Sequence, residues 1–318
     1  MIQVYIVFFK IFVFLALGFV LNKTKVIDLN AEKALSKILL TAVLPFMILN
    51  SSQHTYSDAA VNGMITCAAF AVGYYILSLV VLRLSLKKTK IGEDERRIMV
   101  TCTVFANTGF VGFPLMEALF GNYGLLLAAV FNLCYNLFFY TYAVYLFSRK
   151  PKFRVLEIFK NPVSVASILA IVLFIIPWRM PGFISDTFKL IGDMTVPMSM
   201  MVMGSMLASV KIKKLLTDKK AYVVSALRLI ILPALMLAAV WGVSFYFPML
   251  PETKSVVVLM CALPCGSMNV MYSENYDVAP HFFRTDGVAF DDIHACNPGV
   301  LGMGGKSGIL MTRGMLYE

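Results

Sequence analysis

Residues 104–116, Val-Phe-Ala-Asn-Thr-Gly-Phe-Val-Gly-Phe-Pro-Leu-Met, interrupt a helix in the middle of an apolar segment long enough to cross a membrane. Asn107, Thr108, Gly109, Gly112 and Pro114 are poor residues for a helix interior. Proline lacks an N–H and clashes with the preceding turn, and glycine adds slack. Broken backbone at membrane depth is tolerated only where it faces protein or a water-filled cavity. A second interruption of the same kind follows at Ala262-Leu263-Pro264-Cys265-Gly266-Ser267-Met268-Asn269. Two Gly/Pro-broken spans in corresponding places of two halves point to the substrate site of a secondary transporter.

Composition sets the solvent. Of 318 residues, 59% are hydrophobic and only 14% charged, far from the balance of a soluble domain. The chain reads as an all-α polytopic membrane protein. A hydrocarbon core of about 30 Å takes roughly 20 helical residues to cross. Nine segments answer to that test: 2–22, 34–50, 59–82, 98–120, 124–147, 162–178, 186–209, 221–248 and 255–273. The net charge of +10 then speaks to orientation rather than to nucleic acid. Lys23, Lys25 and Lys33 flank the first connection, and Lys87, Lys88, Lys90, Arg96 and Arg97 the third. The fifth and seventh are equally basic, whereas the even connections carry only Arg179 and Lys254. Because short basic loops stay in the cytoplasm, the N-terminus is expected outside the plasma membrane. The six cysteines show no zinc or disulfide spacing, and no metal site is expected.

An internal repeat follows from the prolines. Lys37-Ile38-Leu39 … Leu44-Pro45 and Lys189-Leu190-Ile191 … Val196-Pro197 lie 152 residues apart, and Pro114 and Pro264 lie 150 apart. Five spans per copy is an odd number, so the second copy enters from the opposite face. The expected organisation is an inverted repeat of five helices, the second truncated to four. Residues 1–148 form the first repeat, 149–161 a basic cytoplasmic linker, 162–276 the second repeat and 277–318 a tail. Gly112, Pro45 and Pro197 are expected to break their helices.

At these residues the chain resembles the auxin efflux carrier family, which contains plant PIN-formed carriers and bacterial malate and malonate transporters. The pattern Asn-Thr-x-x-x-Gly-x-Pro stands at Asn107, Thr108, Gly112 and Pro114. The pattern Ala-Leu-Pro-x-Gly … Tyr stands at Ala262, Leu263, Pro264, Gly266 and Tyr276, and Asn161-Pro162 opens segment six as in the family. The resemblance covers residues 1–276. It implies ten spans in two inverted five-helix bundles, with an organic anion held where segments four and nine cross. One departure is Asn269, where the plant carriers have proline.

The substrate-binding residues expected are Asn107, Thr108, Gly109, Pro114, Pro264, Gly266, Asn269 and Lys10. Asn107 and Asn269 either donate amides to a carboxylate or satisfy carbonyls released by the neighbouring breaks. Lys10, midway along segment one, either meets an anion or snorkels. Lys189 and Asp193 either pair or relay protons. Arg228 reads as a snorkelling anchor, Asn132 and Asn136 as glue between helices, and the twenty methionines as packing. Asp193 is the one carboxylate read as lying in a core segment.

Residues 277–318 break from this composition. They hold no spanning apolar run, and a substituted or frameshifted end with low transport is expected. His281, Asp286, Asp291, Asp292, His294 and Cys296 are metal-type ligands that nothing preorganises. Taken together, the expected function is secondary transport of small organic anions such as malate, malonate or auxin-like acids. A cation/proton antiporter, an intramembrane enzyme and a receptor are the rivals. No cofactor and no nucleic acid are expected. The partners are the substrate and the lipid bilayer, with proton or sodium coupling and homodimer formation left open.

Overall fold

The structure, a computed structural model, describes residues 2–87, 89–148, 155–176, 178–209, 219–266, 268, 269, 272, 273, 276 and 278. The expectations for the tail, apart from Val278, and for the basic residues of 149–154 and 211–214 lie outside the described residues. Every named element among the described residues is helical. In chain order they are α1 Ile2–Lys23, α2 Leu29–Ser51, α3 Asp58–Lys87, α4 Glu93–Val104, α5 Thr108–Ser148, α6 Pro162–Ile175, α7 Gly182–Ser209, α8 Lys220–Ser244 and α9 Pro251–Cys261.

Local chemistry sets several boundaries. Asp28 caps α2 by accepting from the Ala31 N–H at 2.8 Å. Asn161 caps α6 in the same way, from Val163 N–H at 2.9 Å, with Pro162 in the first turn where its missing N–H has no consequence. Three of the four π-helical turns, Leu39–Val43, Thr108–Gly112 and Leu227–Ile231, precede a proline by two residues: Pro45, Pro114 and Pro233. A proline ring clashes with the carbonyl four residues back, and the wider turn makes room for it. Pro45 therefore widens its helix without ending it. Pro197 sits just inside the helical run Thr195–Ser209, beyond a turn at Asp193 and Met194.

Among the described residues, six helices are long and apolar enough to span: α1, α2, α3, α5, α7 and α8. The difference from nine segments has a physical origin. Segments four and nine are broken, and α6 is only 14 residues long. Segments four and five also run together, because Gly121 turns the chain at φ 58° and replaces a three-residue loop with one kink.

The long helix α5 is the axis of the packing, 72% of its apolar window being buried against 6% in α1. It touches α2, α3, α6 and α9. The broadest helix pair is α1 on α7, and it depends on two glycines. A Cβ at Gly18 would stand 1.9 Å from the Met201 carbonyl oxygen, and one at Gly204 1.9 Å from that of Leu15. Backbones this close are the packing mode of membrane helices, where lipid offers no hydrophobic drive. Polar bonds lock the same seam. Asn22 donates to Ser205 at 3.0 Å, Ser205 donates to the buried Glu32 at 2.5 Å, and Lys23 donates to the Ala208 carbonyl at 2.8 Å.

Gly204→Ala should separate α1 from α7 and lower the melting temperature in detergent, at a cost of about 1–3 kcal/mol. Gly242→Ala, where a Cβ meets open space, should leave it unchanged. Differential scanning fluorimetry on the two variants checks this.

Candidate functional site

The two interruptions meet. Helix α4 ends at Val104, Phe105 is extended, and Ala106 forms an antiparallel bridge with Cys265. Two backbone bonds fasten the crossing: Asn107 N–H to the Pro264 carbonyl at 2.8 Å, and Gly266 N–H to the Phe105 carbonyl at 3.0 Å. Gly266 is required there, since a Cβ would stand 2.8 Å from the Ala106 oxygen. At Gly112 the neighbours are the Leu263 and Met260 side chains of the other break, at 3.0 and 3.1 Å from a Cβ. Gly109 differs: a Cβ there meets nothing within 4 Å, so space opens beside the first break.

The asparagines divide the remaining backbone between them. Asn107 caps α5, its Oδ1 accepting from Phe110 N–H at 3.2 Å. It is half-buried, and its Nδ2 has no partner among the described residues. Asn269 is fully buried and donates to the carbonyls of Phe105 and Gly266, both at 3.0 Å. Its Oδ1 is left without a partner among the described residues. The buried Thr108 hydroxyl accepts from Asn132 at 2.6 Å. Asn136 then donates to Asn132 and to Ser164 of α6, at 2.9 and 2.8 Å. Asn136 thus joins α5 to α6, and Asn132 ties the far arm of α5 back to the break at its start. Pro114 is buried in the first turn of the α-helical part of α5, and Pro264 is exposed at the crossing.

Arg228 corrects the sequence reading. It does not snorkel: it is 2% exposed, in the π turn of α8. Its Nε donates to the Leu263 carbonyl at 2.8 Å. Its Nη1 donates to the carbonyls of Thr103 and Val104, at 3.0 and 2.9 Å, and to the Tyr74 hydroxyl at 2.6 Å. One guanidinium thus caps the C-terminal ends of both broken helices, where orphan carbonyls gather and the helix dipole is negative. Its Nη2 is buried without a partner, and no carboxylate bonds to Arg228 among the described residues. The signal was present in the sequence: Arg228 lies about 12 Å along α8, too deep to be a terminal anchor.

The other charges lie elsewhere. Lys10 is exposed on α1 and bonded to no described residue. Lys189 and Asp193 form an exposed pair at 2.8 Å. Asp193 is therefore not a core carboxylate; among the described residues Glu32, missed in the sequence because it precedes its apolar run, is buried in the α2–α7 seam. In the connection after α2, the His54 ring stacks on Tyr123 at 5.1 Å. Burial, helped by the Arg179 charge, holds its pKa below the usual histidine value, so it is neutral at pH 7.

The family described as membrane transport protein matches residues 3–156 and 151–285. An uncharacterized transporter of Methanothermobacter thermautotrophicus is 22% identical over 272 residues, 85% of this chain and 87% of its own. Auxin efflux carrier component 8 of Arabidopsis thaliana is 26% identical over 134 residues, 41% of this chain and 35% of its own.

Gly266→Ala should push the two breaks apart and cost about 1–3 kcal/mol, whereas Gly109→Ala should fold like the parent. Thermal unfolding of both variants in the same detergent separates the close approach from the open space.

Proposed function

The chain belongs to the membrane transport protein family, of the auxin efflux carrier type, and on that premise we propose that it carries small organic anions by alternating access around the crossover. This is a transporter family and not an enzyme family. The observation that carries the reading is the buried Arg228, bonded among the described residues only to neutral groups and with Nη2 unpartnered there. A buried cation without a counter-charge is costly, and an entering carboxylate supplies one. The Nδ2 of Asn107 and the N-terminus of α5 face the same break and favour negative charge. Thr108, Gly109, Pro114, Pro264, Gly266 and Asn269 shape the site around the anion. Lys10 is then a lipid-facing side chain.

The antiporter reading requires a carboxylate at the break. Among the described carboxylates, Glu32 bonds to Ser205, Asp193 to Lys189, and Glu117 interacts with that same pair, which favours anions. Helix partners support the inverted repeat. Segment one packs on seven as six packs on two, the exchange that a repeat of five would produce. The proposed boundaries remain 1–148 and 162–276, in the plasma membrane with the N-terminus outside.

Purified protein should bind radiolabelled malonate, with competition by malate and none by the neutral malonamide. Asn107→Ala should weaken that binding several-fold, since removing one donor to a buried charge costs about 1–3 kcal/mol. Arg228→Gln should abolish binding more completely than Arg228→Lys, which keeps the charge. Equal affinity for malonate and malonamide would overturn the anion reading.

Orientation is checked separately. Single cysteines at the exposed Thr55, in the same connection as Ser52, and at Ser148, in a background without the native ones, should react with an impermeant maleimide from opposite faces of sealed vesicles. Reaction from one face would dismantle the inverted repeat.

A further inference from the structure

We propose that the adjoining ends of α3, α4 and α5 form a binding site for one anionic phospholipid, its phosphate in a cavity and an acyl chain in the neighbouring groove. A cavity of about 320 Å³ is lined by Arg83, Lys87, Arg96 and Arg97 against a single carboxylate, Glu93. Glu93 accepts from Arg96 Nη1 at 2.7 Å, and the Ile91 carbonyl accepts from Nη2 at 3.2 Å. Arg97 stands 3.6 Å from Asp94, an ion pair too long to be a hydrogen bond. Arg96 Nε and Arg97 Nη1 are consequently buried with no hydrogen-bond partner among the described residues. Two guanidinium groups with open donors, side by side in an excess of positive charge, fit a phosphodiester.

Beside the cavity runs a groove of about 630 Å³, walled by Ile76, Val80 and Leu84 of α3 and Phe138 of α5. Arg83 and Tyr145 line both spaces, so the two adjoin. Arg83 is held between them, donating to the Tyr142 hydroxyl at 2.6 Å over the ring face. Tyr142 itself belongs to the π turn Phe139–Ala143 of α5. From Arg83 the apolar wall extends two helical turns to Ile76, about 10 Å along α3. Ile76, Val80 and Leu84 are each at least half exposed on a helix that spans, so the groove opens toward hydrocarbon rather than water. A soluble phosphate would leave that groove unfilled, and a neutral lipid would leave the guanidinium donors uncompensated. The basic loop at this end assigns it to the cytoplasmic leaflet, where anionic lipids concentrate. The inference stands independently of what is transported.

The test uses the full chain in detergent. Dioleoyl-phosphatidylglycerol should raise the melting temperature by several degrees, and dioleoyl-phosphatidylcholine and glycerol 3-phosphate should not. Arg96→Gln/Arg97→Gln should lose the phosphatidylglycerol shift, and Val80→Trp, which fills the groove, should reduce it. Native mass spectrometry of the parent should show phosphatidylglycerol retained over phosphatidylcholine, a reading that stands even where the double variant fails to fold. Equal shifts from both lipids, a shift from glycerol 3-phosphate alone, unselective retention by the parent, or a folded double variant that keeps the preference would each overturn the site.

Discussion

Everything at the centre of this protein depends on satisfying backbone groups that two broken helices release where no bulk water reaches. An unsatisfied amide or carbonyl there costs several kcal/mol. The chain meets that demand by crossing one break over the other. Each donates one amide to the other's carbonyl, Asn107 to Pro264 and Gly266 to Phe105. The short antiparallel bridge between Ala106 and Cys265 is the result. It forms only because Gly266 carries no Cβ. What the bridge leaves unmet, side chains complete: Asn269 on Phe105 and Gly266, and Arg228 on Thr103, Val104 and Leu263.

The electrostatics follow from the same arrangement. Both α4 and α9 end at the crossing, so two negative dipole ends converge there. Carbonyls alone would repel an anion and attract a cation. Arg228 reverses that sign with a full charge against two partial ones. Its burial with only neutral partners among the described residues is why the proposed substrate is a carboxylate. The same clamp ties α8 to α3 through Tyr74 and to both breaks at once. A movement that shifts α8 therefore alters the shape of the site.

Much of this was legible in the sequence, for definable reasons. The breaks showed because Asn107, Gly112 and Pro114 violate helix chemistry inside an apolar run, and Pro264 and Gly266 repeat the violation. The α6 start was written in Asn161-Pro162. Side-chain destinations were less legible. Arg228 reads as an anchor only if the reach of its long side chain is set above its depth along α8, and the neighbours that hold it there do not show in the sequence. Glu32 escaped notice because it lies before the apolar run of α2, where charge is ordinarily solvated. In the fold that turn lies against Ser205 of α7. Pro45 read as a break, but a π turn absorbs its ring and the helix continues.

That tolerance separates two kinds of proline in the chain. Pro45 and Pro233 each follow a π turn inside a continuous helix, so the released carbonyl has the helix itself to compensate it. Pro114 also follows a π turn, but that turn begins just after the chain has left the helix at Phe105. The proline chemistry is the same at all three positions, and the outcome differs with what precedes it. Asn107 ends the helical run by capping the next one, and Gly266 of the other break comes close enough to take the freed Phe105 carbonyl. A helix with a proline but no crossing partner widens, whereas a helix with both opens. The proposed site is therefore a property of the pair of segments, and neither break alone could hold it.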